Sequence, residues 1–408
     1  MQESTKFRLL VVGVSWPPET FLAGLIKGLT DAGVEVTVSC TKMQPKSRVA
    51  NPKLRWLRVP TWQGSVVLRL IRLASMAVRA IFRGPSDIAI FASHIRKGSN
   101  LAERLRTWNR LLQFAGRRWD VIYFAWNSAA IDYIPLFDLG CPVVVSCRGS
   151  QIHVAPHNPE RLELRQGLRA TFERATLVHC VSEATMHEAQ SFRLDSAKSQ
   201  VIRPSVDTQF FFPLERDGTN GELFRLMTTG RLIFQKGLGY ALHAVRLLLD
   251  EGISLRFDIV GDGPERQYVT YTIYDLGLER VVHLHGRLPL GGVQSLLRRA
   301  DAFLLASVSE GISNAVIEAM ACGLPVVTTN CGGMREAVQD CVEGFVVPVR
   351  DPIAISDALR KLAVDPELRL RMGRAARERV LREFSLDQQV GRWLTLYAKV
   401  VNNSVRLR

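Results

Sequence analysis

The sequence predicts an α/β protein built from two doubly wound parallel-sheet domains. Three observations carry this. At 408 residues the chain exceeds one ordinary core, and two domains of about 200 residues match the usual domain size. Apolar strand-like runs alternate with segments of helical spacing in both halves, the pattern of parallel strands joined by crossover helices. That pattern lapses near residues 200–222, in the aromatic, turn-like stretch through Phe210-Phe-Phe-Pro213 and a charged, Gly-rich run, and then restarts.

The elements follow in order. Leu9–Val14 is a short apolar run, and Ser15-Trp-Pro-Pro turns the chain. From Phe21 to Ala32, Leu22, Leu25, Ile26 and Leu29 share one helical face, and Gly33 ends the helix. Val34-Glu-Val-Thr-Val-Ser alternates as a strand, completing a βαβ unit. Asp120–Ala125, Pro142–Cys147 and Leu177–Val181 are the further strands of the first half. In the second half the strands are Phe224–Thr229, Leu255–Val260, Val281–Leu284, Ala302–Ala306 and Val326–Thr329. Helices alternate with them at Leu238–Leu249, Tyr268–Leu276, Val293–Ala300 and Ala315–Ala321. Helical spacing returns at Pro352–Val364 and Pro366–Glu383. A last helix from Asp387 to about Val401 carries Val390, Trp393, Leu394 and Tyr397 on one face. The expected division is 1–205, 206–383 and a terminal helix segment 384–408.

Composition narrows the class. With 47% hydrophobic and 23% charged residues the chain reads as a soluble globular protein. The polar start Met-Gln-Glu-Ser-Thr-Lys lacks the regions of a signal peptide, and no run of about 20 uncharged apolar residues predicts a transmembrane helix. The seven cysteines (40, 141, 147, 180, 322, 331, 341) form no Cys-x-x-Cys pair, which argues against a zinc site or a disulfide framework. Reduced thiols in a cytoplasmic protein are the expectation. The net charge is +14, and residues 55–119 hold thirteen Lys/Arg against Asp87 and Glu103, a local +11 that attracts anionic partners.

Four loops of the second half each follow a strand. In open α/β sheets that is the rim where ligands sit. Gly230-Arg231 and Lys236-Gly237 bring two cations, with glycines for close backbone approach, to charge such as a departing diphosphate develops. Taken alone they also fit a solvated pair at a strand end. Gly261-Asp-Gly263 fits a plain turn as well as a ligand loop. His285-Gly286-Arg287 fits a strand cap, or backbone contact with a base through 286–288. Glu310-Gly311-Ile312-Ser313-Asn314-Ala315-Val316-Ile-Glu318 is the most specific stretch. Gly311, Ser313 and Asn314 suit a tight turn and helix N-cap, whose free N–H groups bind phosphate. Carboxylates on either side can accept hydrogen bonds from hydroxyl groups, one from a ribose and one from a sugar. A nucleotide sugar is the ligand this suits. No Asp-x-Asp or other poised carboxylate pair occurs, so no metal and no other cofactor is expected.

These motifs resemble those of the retaining glycosyltransferases of family 4, which have the GT-B fold: two Rossmann-like domains facing across a cleft, with a C-terminal helix crossing back to the first. The resemblance extends to Val181-Ser182-Glu183, Ser205-Val-Asp207 with Phe211-x-Pro213, and Phe384-Ser385 with Trp393 and Tyr397. It implies that Arg231 and Lys236 hold the donor diphosphate and that Glu310 bonds the donor sugar. It also implies that Gly311 to Val316 offer N–H groups and that Glu318 binds the ribose. Gly230, Gly237, Gly261, Gly263 and Arg287 complete the donor set. Glu19 and Thr20, in Pro17-Pro-Glu-Thr-Phe21, resemble a subgroup whose loop lies beside the acceptor. Family members commonly carry a His after the strand matching Val143–Cys147. Here Arg148 stands there, with His153 nearby but out of register. Arg148 fits either a surface structural residue or a contact to donor phosphate or an acidic acceptor. The implied reaction is front-face transfer with retention, using positioning and electrostatics.

Val66–Arg83 is apolar except for Ser75 and four arginines, Arg69, Arg72, Arg79 and Arg83, which share a helical face. This fits either anionic membrane binding or a core helix with a solvated edge. The reading is therefore a transferase acting on a saccharide or lipid-linked acceptor in surface polysaccharide or glycolipid synthesis, peripheral at the inner face of the membrane. No nucleic-acid module accompanies the charge. The alternatives are a nucleotide-sugar epimerase or disaccharide synthase of the same fold, or a membrane-surface binding protein with little activity.

Overall fold

A computed structural model describes residues 7–43, 51–95, 100–214 and 223–406. Arg96 and Lys97 of the basic segment, and 215–222 of the expected interdomain stretch, lie outside the described residues. The chain divides into two compact units. Unit 1 comprises Met1–Cys180, Met186–Ile202 and Val390–Arg408; unit 2 comprises Val181–Thr185 and Arg203–Gln389.

Unit 1 holds a parallel sheet of seven strands: β1 (Arg8–Trp16), β2 (Glu35–Met43), β3 (Leu54–Arg58), β4 (Val121–Phe124), β5 (Val143–Cys147), β6 (Leu177–Cys180) and β7 (Ser199–Val201). Their order is β3-β2-β1-β4-β5-β6-β7, so the winding reverses between β1 and β4. Unit 2 holds six parallel strands: β8 (Phe224–Thr229), β9 (Leu255–Val260), β10 (Val282–Gly286), β11 (Ala302–Leu305), β12 (Val326–Thr329) and β13 (Gly344–Val347). Their order is β10-β9-β8-β11-β12-β13, with the reversal between β8 and β11. The expected α/β class with two Rossmann-like sheets is what the chain adopts.

Burial explains which strands the sequence marks. β4, β5, β6, β11 and β12 are buried on both faces, so they are near-continuous apolar runs. In unit 2, alternate residues of β8 point to opposite cores. Leu226 packs under the Leu238–Asp250 and Pro352–Val364 helices, and Met227 under the Asn314–Ala321 side. β3, β7 and β13 escape the sequence pattern. β3 is an edge strand reading Leu-Arg-Trp-Leu-Arg, β7 is only three residues long, and β13 lies at the other sheet's edge and opens on Gly344.

The terminal helix spans Leu386–Arg406, and from Val390 onward it belongs to unit 1. Trp393 and Tyr397 are fully buried. Their rings lie 5.0 and 6.1 Å from that of Tyr123, and Tyr397 also meets Phe7 at 5.7 Å. These aromatic edges are the contacts that tie the helix to the sheet.

The Val66–Arg83 helix forms as expected, but its outward face is not the basic one. Arg69 stacks over Trp62 at 5.2 Å, and Arg72 donates to the Thr61 carbonyl at 2.7 Å. Arg83 donates to the Ala115 and Leu112 carbonyls at 2.7 and 3.3 Å. Three of the four arginines therefore turn toward main-chain acceptors or an aromatic face of the protein, although Arg69 Nε and Arg72 Nε are buried without a hydrogen-bond partner among the described residues. Arg79 alone of the four has no partner among the described residues and stays exposed. Leu73, Met76 and Ala77 pack inward beside buried Ala80. Val67, Leu70, Ile71, Val78, Ile81 and Phe82 face out, Phe82 with 85% of its surface exposed.

Gly28 lies in the Thr20–Asp31 helix, where an added Cβ would fall 2.4 Å from Val390 Cγ2. Gly28→Ala should therefore destabilise unit 1 by roughly 1–2 kcal/mol through overpacking, although alanine is the better helix former. Adding Val390→Ala should recover most of the loss. Denaturant midpoints of the two variants check this; a neutral or stabilising Gly28→Ala would show that the terminal helix does not rest on Gly28.

Candidate functional site

The rim of the second sheet is assembled by main-chain bonds between its loops. Gly230 N–H donates to the Val260 carbonyl at 2.9 Å, Leu232 N–H to Asp262 at 3.1 Å, and Gly261 N–H to Gly286 at 2.8 Å. The loops after β8, β9 and β10 are thus zipped side by side. Gly261 has φ +138, and a Cβ there would sit 1.8 Å from the Gly230 carbonyl oxygen; a Cβ at Gly263 would sit 2.3 Å from that of Leu232. For a stretch that reads as either a plain turn or a ligand loop, both glycines have a nearer reason, which is that the loops themselves touch. Gly237 is left-handed at φ +60, ψ 30, and its Cβ would meet the Ala306 carbonyl oxygen at 2.1 Å. Only glycine lets the loop after β8 pass the end of β11.

That passage brings Lys236 to Glu310. Lys236 Nζ lies 2.5 Å from Glu310 Oε1, and Ser307 Oγ donates to the same oxygen at 3.0 Å. Both side chains are mostly buried. The pair bridges β8 and β11, the strands between which the winding reverses. The sequence assigned Lys236 and Glu310 separate partners and offers no sign of the ion pair. Without a ligand each charge compensates the other. An arriving anion can take the remaining Lys236 donors, and Glu310 Oε2 remains an acceptor. Arg231 is exposed beside them with no partner among the described residues.

After Glu310 the chain enters the Asn314–Ala321 helix. Ser313 takes the N-cap position, but its hydroxyl makes no capping bond, and the Asn314 Oδ1 atom is buried without a partner. The N–H groups of the first turn have no intrahelical acceptor and leave a positive helix end open. Ile312 and Val316 are core side chains, so only their backbones can serve a ligand. The Gly311 carbonyl accepts from Gly333 N–H at 2.7 Å, which pins the loop. One turn on, the Glu318 carboxylate finds no hydrogen-bond partner among the described residues, and burial pushes it up to about 7.

His285 does not cap its strand. Its Nε2 lies 2.6 Å from Asp258 Oδ1, and Arg256 holds the same carboxylate at 2.9 Å. Burial raises Asp258, but the bonds from Arg256 and His285 outweigh it and leave the carboxyl below its ordinary value. This pairing fixes the end of β10, with Gly286 and the exposed Arg287 at the rim.

In unit 1, Glu19 is the N-cap residue of the Thr20–Asp31 helix, without a side-chain capping bond, and Glu19 and Thr20 are both exposed. His153 ends a one-turn helix after β5 and is half-buried. Arg148 is not a surface residue: it is 8% exposed, its guanidinium stacks 4.5 Å over the Phe21 ring, and Nη2 lies 3.3 Å from the Tyr123 hydroxyl. Tyr123, Ser146 and His179 behind it drew no functional reading, because inside apolar strands they look like core. Among the described residues no group of three or more His, Cys, Asp or Glu could hold a metal ion, and no helix is long and apolar enough to cross a membrane.

Residues 215–379 match the family model described as glycosyl transferases group 1, and residues 18–210 match that described as Glycosyltransferase Family 4. WcaL of Escherichia coli, a glycosyltransferase named for colanic acid biosynthesis, is 33% identical over 226 residues, covering 54% of this chain and 55% of its own. The amylovoran biosynthesis glycosyltransferase AmsK of Erwinia amylovora is 31% identical over 220 residues, covering 52% and 54%. The chain thus spans about half the length of the curated relatives it matches. The Anabaena protein HepE, solved in complex with UDP-glucose, shares the fold at a TM-score of 0.69 and 18% identity, covering 95% of this chain and 99% of its own. With one family model on each half and motif loops on a shared rim, the chain belongs to the family 4 glycosyltransferases, with the GT-B fold.

Proposed function

We propose that the protein is a retaining, metal-independent glycosyltransferase that moves a sugar from a nucleotide-diphosphate donor, UDP- or GDP-linked, to a saccharide or lipid-linked acceptor in polysaccharide or glycolipid synthesis. The observation that carries this is the Lys236–Glu310 pair at the β8/β11 reversal, beside an uncapped helix start and the unpartnered carboxylate of Glu318. Together they offer fixed positive charge for a diphosphate and acceptors for hydroxyl groups on either side. The names of WcaL and AmsK support the polysaccharide setting, and the HepE complex supports a uridine donor.

In this reading Arg231, Lys236 and the N–H groups of Asn314 to Val316 take up the charge that develops on the departing diphosphate. Gly230 and Gly237 shape the loop that presents the two cations. Glu310 accepts from donor-sugar hydroxyls and Glu318 from the ribose, while the backbone near Arg287 meets the base. The bond from the anomeric carbon to the phosphate oxygen breaks as the acceptor oxygen attacks the same face. The acceptor's proton passes to that phosphate oxygen. Incubating purified protein with UDP- and GDP-sugars and a saccharide acceptor, then reading the new linkage by NMR, tests this. An inverted anomeric centre, or no transfer or donor hydrolysis with any donor, would reject it.

The membrane part of the proposal now rests on the apolar face of the Val66–Arg83 helix, with the surrounding basic residues attracting anionic lipid. The lipid-linked acceptor would be met at the cytoplasmic face. Burying one such side chain is worth about 1.5–3 kcal/mol. Ile71→Ser with Phe82→Ser should therefore cut co-sedimentation with acidic liposomes at least about tenfold, whereas wild type binds. Equal binding by the double variant would remove this helix as the anchor.

Glu318 accepts from two ribose hydroxyls most strongly when ionised, and burial pushes its carboxyl up to about 7. Affinity for a UDP- or GDP-sugar should thus rise roughly tenfold from pH 6 to pH 8, since the ionised fraction rises by that factor across the pKa. Glu318→Gln should flatten this dependence. The folded-state pKa is raised, so the wild-type free protein should lose stability as pH rises through 7, and the Gln variant should not. Calorimetric titration and thermal melts at the two pH values measure both effects; a pH-independent wild-type affinity would exclude the ribose assignment.

Turnover should be unchanged by EDTA, because Arg231, Lys236 and the helix start supply the compensating charge. Loss of activity restored by Mg²⁺ or Mn²⁺ would count decisively against this.

A further inference from the structure

Arg148 is a buried cation with no acid to pair with. Among the described residues no carboxylate lies within ion-pair distance, and its Nε is buried without an acceptor. Leaving a guanidinium in that state is costly unless something else completes it. Its one hydrogen bond, to the Tyr123 hydroxyl, begins a chain whose direction is fixed at both ends. Ile202 contributes a carbonyl, which only accepts, so His179 Nε2, 2.8 Å away, carries the proton. His179 Nδ1 then accepts from Ser146 Oγ at 2.7 Å, and Ser146 Oγ accepts from the Tyr123 hydroxyl at 2.8 Å. The Tyr123 oxygen is left with a lone pair for Arg148 Nη2. Burial and the charge of Arg148 hold His179 well below its ordinary pKa, in keeping with a neutral ring. Trp393 covers the chain, 4.5 Å from the His179 ring. Three buried polar side chains, Tyr123, Ser146 and His179, are thus spent on orienting one guanidinium.

The place is equally specific. Tyr123 lies on β4, Phe21 in the helix after β1, and Arg148 directly after β5, so the guanidinium reaches across the β1/β4 reversal of the first sheet. Ligands of open α/β sheets bind at that point. Phe21 covers one face of the guanidinium and leaves its in-plane donors available. Leu22 and Ala23 N–H both bond the Glu19 carbonyl, while the N–H groups of Thr20 and Phe21 carry no bond among the described residues. Donors from a buried arginine and an open helix start therefore meet at one rim.

We infer that Arg148 anchors an anionic oxygen group, a phosphate or a carboxylate, on the molecule that docks at the β1/β4 reversal, with Tyr123, Ser146 and His179 as its positioning residues. The inference rests on the proposed function only for what carries the group: the nucleotide diphosphate, or an acidic sugar of the acceptor. The test uses the full chain, with Arg148→Met and Arg148→Lys, titrated with inorganic pyrophosphate and with glucuronate at matched ionic strength. Wild type should bind at least one of them. Arg148→Met should weaken that binding tenfold or more, and Arg148→Lys, which keeps the charge and loses the fork, should fall between. Loss of the pyrophosphate response assigns the diphosphate; loss of the glucuronate response assigns an acidic acceptor. Ligand-free Arg148→Met should melt at or above the wild-type temperature, because it removes an unpaired buried charge. A variant that melts well below wild type would make Arg148 a structural strut. Unchanged binding of both anions, or binding of neither by wild type, would equally overturn the inference. Uridine and guanosine titrations serve as the separate check: nucleoside binding that fails in wild type sinks the enzyme reading, whereas nucleoside binding equal in wild type and Arg148→Met leaves it standing whatever the anions do.

Discussion

The left-handed turn at Gly237 is the constraint on which the second unit's site depends. It lets the loop after β8 slip past the Ala306 carbonyl at the end of β11, where any Cβ would collide. Because those strands flank the reversal of winding, helices leave them toward opposite faces of the sheet and a crevice opens between them. Lys236 and Glu310 close across it, with Ser307 holding the carboxylate. The zipped loops after β9 and β10 then fix the height of the rim, and the Asn314–Ala321 helix points its open end at the same place. The candidate site follows from one permissive residue at a topological seam.

Both units keep polar groups that folding alone would not choose. Among the described residues the half-buried Glu318 has no donor, Asn314 Oδ1 has no partner, and Arg148 has no counter-charge. Elsewhere buried carboxylates are paired: Glu343 with Arg379, Asp258 with Arg256 and His285, Asp87 with Arg118 and the Gly116 N–H. Unpartnered buried atoms also occur away from the rims, among them Arg69 Nε, Arg72 Nε and Ser356 Oγ, so what distinguishes Arg148 and Asn314 is their position where the strands reverse.

The Val66–Arg83 helix shows how far periodicity reaches. Spacing places four arginines on one face of an otherwise apolar helix, and the apolar residues divide between an inward set, Leu73, Met76, Ala77 and Ala80, and an outward one. Which face turns inward is a separate question, decided by what lies beneath. Here the neighbours are the carbonyls of Thr61, Leu112 and Ala115 and the ring of Trp62, which suit guanidinium groups better than methyl groups. An apolar face is left outward, and the surface chemistry of the first unit changes from a basic stripe to an apolar ridge with basic surroundings.

The sequence by itself determined the two-sheet α/β class, the strands buried on both faces, most helices of the second half, and the rim loops that resemble the family 4 glycosyltransferases. Each of these is a local property: a run of apolar residues, a period, or a short motif whose spacing survives in one dimension. Edge strand β3 and the three-residue β7 bury too little to leave a pattern, and β13 opens on a glycine, Gly344, that weakens its strand signal. Tertiary structure alone decided that Lys236 meets Glu310, that Gly261 and Gly263 serve loop contact, that His285 bonds Asp258, and that Arg148 stands on Tyr123, Ser146 and His179. In each case the partners lie tens of residues apart, and their meeting depends on strand order and on the fit of a few backbone atoms. No local window of sequence records either of those.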